Sequence, residues 1–275
     1  MQNEISERAY SDFAAFLKNK LGITLGENKQ YLAKSRLSIA MREFDFDDVN
    51  KFIEAILRGH NRSMVERALE SMTTNETFWF RDVYPFENLK QSILPKIAKT
   101  KRSIRIWSAA CSHGQEAYSI AMTLLEYNRL NPSLAFTNME ILASDISDAV
   151  LNTAKAGIYD ELSVSRGLSA EMKSKYFSHN ADNTWTIKPE VKRLVTFKKQ
   201  NLLESYSSQG SFDLVFCRNV LIYFDDKDKA NILQKISAQL PVGGIVVLGA
   251  AESIPSKQDN FKMEKLPQGL YYVKQ

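Results

Sequence analysis

Polar side chains that packing does not require fall in five short clusters of this sequence. The first is Ala109-Ala-Cys-Ser-His-Gly-Gln-Glu116. Small residues let a backbone approach a ligand closely, and Gly114 permits a tight turn. Glu116 falls near a helix start, a position that the helix dipole favours for any acid. The second is Asp145, at the end of an apolar run. An acid there accepts hydrogen bonds from ribose hydroxyls or caps the next helix, and position alone supports both. The third is Asn201-Leu-Leu203. Its amide has the donor and acceptor to pair with a purine edge, or it is a turn residue. The fourth, Cys217-Arg-Asn-Val-Leu-Ile-Tyr-Phe224, follows the apolar run Phe212-Asp-Leu-Val-Phe216. Arg218 and Asn219 are polar at a strand end, while Tyr223 is equally a core aromatic on a helix face. The fifth, Met72–Asp82, sets Asn75, Thr77, Arg81 and Asp82 around an aromatic-rich Phe78-Trp-Phe80.

The elements that position these clusters follow from hydrophobic period. Residues 1–72 read as four amphipathic helices with no strand pattern, an all-α bundle. Tyr10, Phe13, Phe16, Leu17 and Leu21 share one face, and Gly22 stops that helix. A second helix runs from an Asn28 cap to Glu43, with Tyr31, Leu32, Leu37 and Ile39 among Lys29, Lys34, Arg36 and Arg42. Those cations form either a docking face for an acidic partner or a solvated surface. Asp47 or Asp48 caps a third helix and Ser63 a fourth. Residues 73–99 form a linker and a helix with Phe86, Leu89, Ile93, Leu94 and Ile97 on its apolar face. From residue 100 strands and helices alternate: 104–107, 115–128, 139–143, 147–157, 194–198, 212–217, 228–240 and 245–248. Alternation of this kind predicts an α/β fold, a mostly parallel sheet covered on both faces. Residues 261–266 and 270–273 flank Pro267-Gln-Gly269, the signal of a closing antiparallel hairpin. Residues 163–196 break the alternation and read as a small, partly β insertion. In an open parallel sheet the clusters at the strand ends converge along one edge, where ligands bind.

Bulk properties narrow the classes. Hydrophobic residues make up 44% of 275, enough for a real core. A net charge of +4 is too small to argue for nucleic acid. Two cysteines, Cys111 and Cys217, do not make a disulfide framework, so a reducing compartment is the expectation. They end strands expected to be neighbours, and two reduced, small apolar residues are the favoured reading. Met1–Arg8 is polar, without the apolar core of a signal peptide, and no run approaches the ~20 residues of a membrane span. The expected location is the cytoplasm. The loop at Gly114 lacks the other glycines of a dinucleotide fingerprint, which argues against a nicotinamide enzyme.

Taken together, the motifs resemble those of the CheR-type chemotaxis receptor methyltransferases. The match covers nearly the whole chain. It rests on Thr73-Thr-Asn-Glu-Thr-Phe-Trp-Phe-Arg-Asp82, Trp107–Ala121, Ser144-Asp-Ile-Ser147, Asn201-Leu-Leu203 and Phe216–Phe224, in the family's order. The resemblance implies a Rossmann-like class I methyltransferase sheet behind the helical domain. It implies S-adenosyl-L-methionine as cofactor, S-adenosyl-L-homocysteine as product, and glutamate side chains on the cytoplasmic part of chemoreceptors as acceptors. It also implies roles. Asn75, Thr77 and Arg81 would contact the amino-acid end of the cofactor, and Glu116 its methionine portion. Asp145 would hold the ribose, Asn201 and Leu202 the adenine, and Arg218 and Asn219 would close the pocket. Tyr223, with Arg81, would be catalytic, and no metal is expected.

Some positions depart from the family pattern. His113 stands where Thr or Ser is common, and Gln115 where Glu is frequent. A His often found after Arg81 is missing. Phe177–Trp185 is short and contains no glycine, so a tether for a receptor's C-terminal pentapeptide is not expected. A non-catalytic cofactor-binding module is the competing reading, although every pocket motif is intact. A nucleic-acid methyltransferase is disfavoured by the absence of an Asn/Asp-Pro-Pro-Tyr-type motif after Cys217.

Overall fold

Apolar residues three and four apart commit the first part of the chain to helices. In the computed structural model, which describes residues 4–255 and 259–275, these are α1 (Glu7–Leu21), α2 (Gln30–Glu43), α3 (Val49–Arg58) and α4 (Arg62–Met72). The first residues of the polar stretch Met1–Arg8 lie outside the described range. Ser6 caps α1 through its hydroxyl, and Gly22 closes it in the left-handed conformation that only glycine adopts cheaply. Asp48 caps α3.

Three local expectations need correction. Asn28 does not cap α2; it takes a left-handed turn (φ 60°), a conformation Asn tolerates, and Lys29 precedes the helix. Asn61 rather than Ser63 caps α4, its Oδ1 accepting from Met64 N at 3.1 Å. Asn caps as well as Ser and lies two residues earlier. The buried stripe of α2 is Ala33, Leu37, Ala40 and Met41, whereas Tyr31 and Ile39 are exposed. Two alanines carry that stripe, and small residues are the weakest mark of an apolar face.

The chain divides into two units. One runs through Thr74 and takes in Tyr223–Lys229; the other comprises Asn75–Ile222 and Ala230–Gln275. Within the first, Lys18 Nζ meets Asp225 at 2.7 Å and Asp228 at 2.5 Å, fastening the returning segment to α1. Arg36 donates to Thr74 Oγ1 at 2.8 Å, so this cation of α2 braces the end of its own bundle.

The second unit starts with α5 (Tyr84–Asn88), one π turn (Leu89–Ile93) and α6 (Leu94–Ala98). Leu94 N donates to Leu89 O, five residues back. The widened turn ends just before Pro95, which has no N–H to continue the regular ladder. The sheet alternates with helices as the sequence predicts: β1 (Ser103–Ala109), α7 (Gln115–Leu130), β2 (Asn138–Asp145) and α8 (Asp148–Ala156). The insertion follows with β3 (Ile158–Tyr159), α9 (Glu161–Ser165), α10 (Ala170–Tyr176), β4 (Phe177–His179), β5 (Trp185–Ile187) and α11 (Pro189–Lys192). Then come β6 (Val195–Lys199), β7 (Leu214–Cys217), α12 (Asp226–Ala238), β8 (Ile245–Leu248), β9 (Phe261–Lys265) and β10 (Leu270–Lys274).

The main sheet has the order β6-β2-β1-β7-β8-β10-β9. Strands β6 to β8 are parallel; β10 is antiparallel to both β8 and β9. This is the arrangement that the family resemblance implies, with its antiparallel closing hairpin. Strand β1 is the middle one of the five parallel strands, so Ala109 sits level with Ser144 on one side and Cys217 on the other. The register brings the clusters after three strands to one edge. Cys111 and Cys217 are both buried and free.

The insertion is a second, three-stranded antiparallel sheet, β3-β5-β4. Its two-residue strand β3 is too short to show a period in sequence. Asn183 (φ 62°) makes the β4–β5 turn where a glycine is more usual. Trp79, fully buried, fills the space beneath this sheet, edge-on to Tyr159 and Phe177 at 4.9 and 5.2 Å between centroids. Gly167 (φ 91°) passes so close to the Trp79 carbonyl that a Cβ would collide with it.

An ion cluster also ties the insertion to α7. Glu126 accepts from Lys175, from Tyr176 Oη at 2.5 Å and from Arg129 at 2.8 Å. Burial opposes ionisation of Glu126, but these donors outweigh it and bring its pKa down to about 2. A carboxylate held below its unfolded value stabilises the fold above that value and loses the contribution as pH falls toward the folded one. Replacement Glu126→Gln is therefore expected to lower stability at pH 7 by about 1–3 kcal/mol. Denaturant titrations at several pH values check this: the wild-type advantage over the variant should shrink between about pH 4.5 and pH 2.

Candidate active site

The loop after β1 is held in a conformation it would not adopt alone. Ala110 (φ 64°), Ser112 (φ 50°) and Gly114 (φ 90°) all lie in the left-handed region. For Ala and Ser that costs on the order of 1–3 kcal/mol each, so neighbours must supply the restraint. Cys111 N donates to Ser144 O at 2.9 Å, and Ser112 N to Asp145 Oδ2 at 2.9 Å. Ser112 Oγ reaches Asn75 O at 2.7 Å, and Tyr159 Oη donates to His113 O at 2.7 Å. Gly114 has to be glycine: a Cβ there would lie 2.9 Å from Ala154 Cβ and 3.3 Å from Tyr159 Oη.

Asp145 is buried at the end of β2. It does not cap α8; Ser147 does. Its Oδ1 accepts from Ser147 N at 3.1 Å and its Oδ2 from Ser112 N. A third backbone amide, Ile146 N, also bonds this carboxylate. Burial raises its pKa, and the amide donors work in the opposite direction. Gln200 N donates to Asp145 O at 2.9 Å, which sets the 200–203 turn beside it. There Asn201 Oδ1 accepts from Leu203 N at 2.9 Å, and Leu202 is buried.

The other half of the edge is built on Arg218. Its side chain is 1% exposed. One nitrogen pairs with Glu116 Oε2 at 3.0 Å; the other takes Asp82 Oδ2 at 2.8 Å and Arg81 O at 2.9 Å. Ser108 Oγ donates to the second Glu116 oxygen at 2.8 Å. Burial raises the pKa of Glu116, while Arg218 and Ser108 favour its charged form. Both Glu116 and Arg218 thus have the partners that buried charges require.

Residues 75–82 run along this edge, held by the Ser112 and Arg218 bonds and by Phe80 N to Ser119 Oγ at 3.1 Å. Thr77 is half-buried on that run. Arg81 lies with its guanidinium 5.5 Å from the Phe78 ring and donates to Glu76 O at 3.1 Å. Asn219 follows Arg218 with φ 57°.

The structure therefore brings Asn75, Arg81, Glu116, Asp145, Asn201, Leu202, Arg218 and Asn219 to one sheet edge, with Thr77 on the same run. Tyr223 belongs to the segment grouped with the helical unit, where its carbonyl accepts from Thr24 N. Sequence reasoning gave no role to Ser108 or Ser112, although both lie in the motifs it named, and it missed Glu252. Glu252 accepts from Asn219 N at 2.7 Å, and its signal was a run of small residues after β8, Gly249-Ala-Ala, like the one after β1.

The comparisons with known proteins agree with this geometry. Residues 75–270 match the model of the CheR methyltransferase SAM-binding domain, and residues 8–73 that of the CheR methyltransferase all-alpha domain. The chain belongs to the CheR methyltransferase family. It is 46% identical over 268 residues to chemotaxis protein methyltransferase 1 of Vibrio cholerae, covering 98% of this chain and 97% of that protein. Identity to chemotaxis protein methyltransferase 1 of Pseudomonas aeruginosa is 44% over 264 residues, covering 94% and 95%. As a CheR methyltransferase it is an S-adenosylmethionine-dependent protein-glutamate O-methyltransferase, acting on chemoreceptors.

The residues present fit that cofactor. Buried Arg218 Nε, His113 Nδ1 and Gln115 Oε1 have no protein partner among the described residues, although buried polar atoms are nearly always paired. Donors and acceptors of both kinds at a strained, small-residue loop suit a ligand with an amino acid, a diol and a base. Among the described residues no group of three or more His, Cys, Asp or Glu is arranged to hold a metal, and no helix is long and apolar enough to cross a membrane.

The Arg218 arrangement makes a prediction. Lysine has one nitrogen and cannot serve Glu116, Asp82 and the Arg81 carbonyl together. Arg218→Lys should lower stability by about 2–4 kcal/mol in urea titration. Its S-adenosylmethionine affinity, measured by calorimetry, should fall by at least about tenfold. An unchanged affinity in folded protein would show that Arg218 only braces the sheet.

Proposed function

We propose that the edge from Asn75 to Asn219 holds the cofactor in the way the family resemblance implies. The single observation that supports this most is the clamped loop 110–114, with Asp145 on one flank and Arg218 on the other. Asn75, Thr77 and Arg81 face the amino-acid end, and Glu116 lies beside the methionine portion. Asp145 takes the ribose hydroxyls through its carboxylate. Leu202 and Asn201 border the adenine. Arg218 and Asn219 close the pocket, and Tyr223 aligns the methyl group or the acceptor oxygen.

S-adenosylmethionine supplies a methyl group on a sulfonium centre, and S-adenosylhomocysteine is the product. An acceptor glutamate, with a pKa of ~4.3, is ionised at neutral pH and needs no general base. What remains for the protein is alignment and exclusion of water, which can be worth up to about 7–11 kcal/mol. An arginine facing the acceptor would blunt its nucleophilicity. Arg81 and Arg218 therefore act on the cofactor and loop. Their observed partners, Glu76 O, Glu116 and Asp82, are consistent with that.

Residues 1–72 dock on the cytoplasmic domain of the receptor, 73–99 link to the pocket, and 100–275 carry catalysis, with the enzyme working in the cytoplasm. Support for docking comes from α2. Tyr31 is 67% and Ile39 51% exposed, and Arg42 lies at the surface with them. An apolar pair edged by cations suits an acidic helical partner.

Incubation with methyl-labelled S-adenosylmethionine and receptor cytoplasmic fragments tests the reading. Base-labile label on receptor is expected; cofactor binding without label would favour a non-catalytic module. Tyr223→Phe should lower turnover more than cofactor affinity, and unchanged turnover would remove Tyr223 from the mechanism. Receptor tail recognition is not expected, since the β4–β5 hairpin is short and turns on Asn183. Deleting a receptor's C-terminal pentapeptide should leave KM for that receptor unchanged; a clear rise in KM would overturn this.

A further inference from the structure

Glu252 lies outside every motif that carried the family resemblance, yet its carboxylate takes three backbone amides at the sheet edge. The chain leaves β8 through Gly249, Ala250 and Ala251 and turns back on itself, with Glu252 N donating to Gly249 O at 2.9 Å. The carboxylate then points toward the end of the neighbouring strand. Its Oε2 accepts from Gly249 N at 2.8 Å and from Asn219 N at 2.7 Å. Its Oε1 accepts from Ile222 N at 3.3 Å. One side chain thus takes up three backbone amides from the ends of two parallel strands, β7 and β8, whose last residues, Cys217 and Leu248, are level.

The surrounding residues show that this contact is built rather than incidental. A Cβ on residue 249 would lie 2.7 Å from Glu252 Oε2 and 2.8 Å from Asn219 N, so glycine is required for the acid to reach both amides. Asn219 is left-handed, a conformation that Asn tolerates better than most residues. The amide bonded to Glu252 belongs to that residue. Arg218, immediately before it, depends on its backbone direction to meet Glu116, Asp82 and Arg81 O from a fully buried position. The negative charge of Glu252 also reaches the buried interior, where it helps to raise the pKa of Glu116.

We propose that Glu252 is a positioning residue for methyl transfer: it sets the backbone of Asn219 and Ile222 and, through it, aims the Arg218 side chain at the cofactor site. It touches neither cofactor nor acceptor. This inference rests on the reading that Arg218 and Asn219 border the cofactor.

The test uses full-length protein and three substitutions. Glu252→Ala removes all three acceptors. Glu252→Gln keeps the shape and one oxygen, enough for the Gly249 and Asn219 amides, while its NH2 faces Ile222 N. Asn219→Ala tests the underlying reading. Affinities for S-adenosylmethionine and S-adenosylhomocysteine are measured by calorimetry, kcat and KM with a receptor fragment, and folding by thermal melt. Glu252→Ala is expected to weaken both ligands together by about ten- to a hundredfold, because it acts through backbone geometry rather than on the sulfonium charge. Glu252→Gln should restore most of that loss, and KM for the receptor should change little in either variant. If Glu252→Ala fails to fold, Gly249→Ala, which pushes the acid off the Asn219 amide, should give the same loss of cofactor affinity. A lowered melting temperature with unchanged cofactor affinity would overturn the proposal and leave Glu252 a brace of the sheet. A loss confined to S-adenosylmethionine would overturn it in favour of a direct charge effect. If Asn219→Ala leaves cofactor binding intact, the underlying reading of the site fails instead.

Discussion

A guanidinium that loses its water must be neutralised and hydrogen-bonded on the spot, and that requirement at Arg218 organises the second unit. Satisfying it draws Glu116 from the start of α7, Asp82 and the Arg81 carbonyl from the segment ahead of the sheet, and Ser108 from β1 behind Glu116. None of these groups is close to Arg218 in sequence. Each would be costly to bury alone. The cation and its two acids therefore become a fastening that holds residues 75–82 across the strand ends, and that segment in turn carries Asn75, Thr77 and Arg81. The carboxylate of Asp145 does for the Ser112 backbone what Arg218 does for the linker. Between them the strained loop 110–114 has little freedom left.

Much of this organisation was legible in the residues. Alternating apolar runs gave the parallel sheet, and Pro267-Gln-Gly269 gave its closing hairpin, because period and turn chemistry are local properties. The convergence of clusters at one edge followed from sheet geometry alone. The details that escaped are long-range ones. Glu252 lies 33 residues beyond Asn219, and no period links them. The β3 strand has two residues, so it exists only through pairing with β5. Helix α2 buries Leu37 but exposes Tyr31 and Ile39, and half of its core side is alanine. The choice between Asn61 and Ser63 as a cap turned on two residues of nearly equal propensity.

The insertion shows how a departure from pattern can be absorbed. It was recognisable only as a break in alternation, yet it is fixed at several points. Trp79 fills its floor, Gly167 passes the Trp79 carbonyl, Tyr159 reaches the His113 carbonyl, and Glu126 gathers Lys175 and Tyr176. Three of these contacts bear directly on the loop 110–114 or the segment 75–82 at the sheet edge. The small sheet is thus a support for the site, whatever else it recognises. His113 gains a backbone role by this route: its carbonyl anchors the insertion. Its ring is held below its ordinary pKa by burial, with Asp145 opposing.

The place of β1 between β2 and β7 has a consequence for biosynthesis. Ala109 is flanked by Ser144 and Cys217, so the edge is made from parts that leave the ribosome far apart in time. A nascent chain that ends before β7 has the loop, Asp145 and Glu116 but no arginine to neutralise the acid. One that ends before Glu252 has the arginine but lacks the acid that bonds the amide behind it. Contacts of such long sequence separation form late in folding. With the cofactor placed as proposed, its binding stabilises only the nearly completed fold, and a prematurely terminated chain should neither sequester S-adenosylmethionine nor be rescued by it.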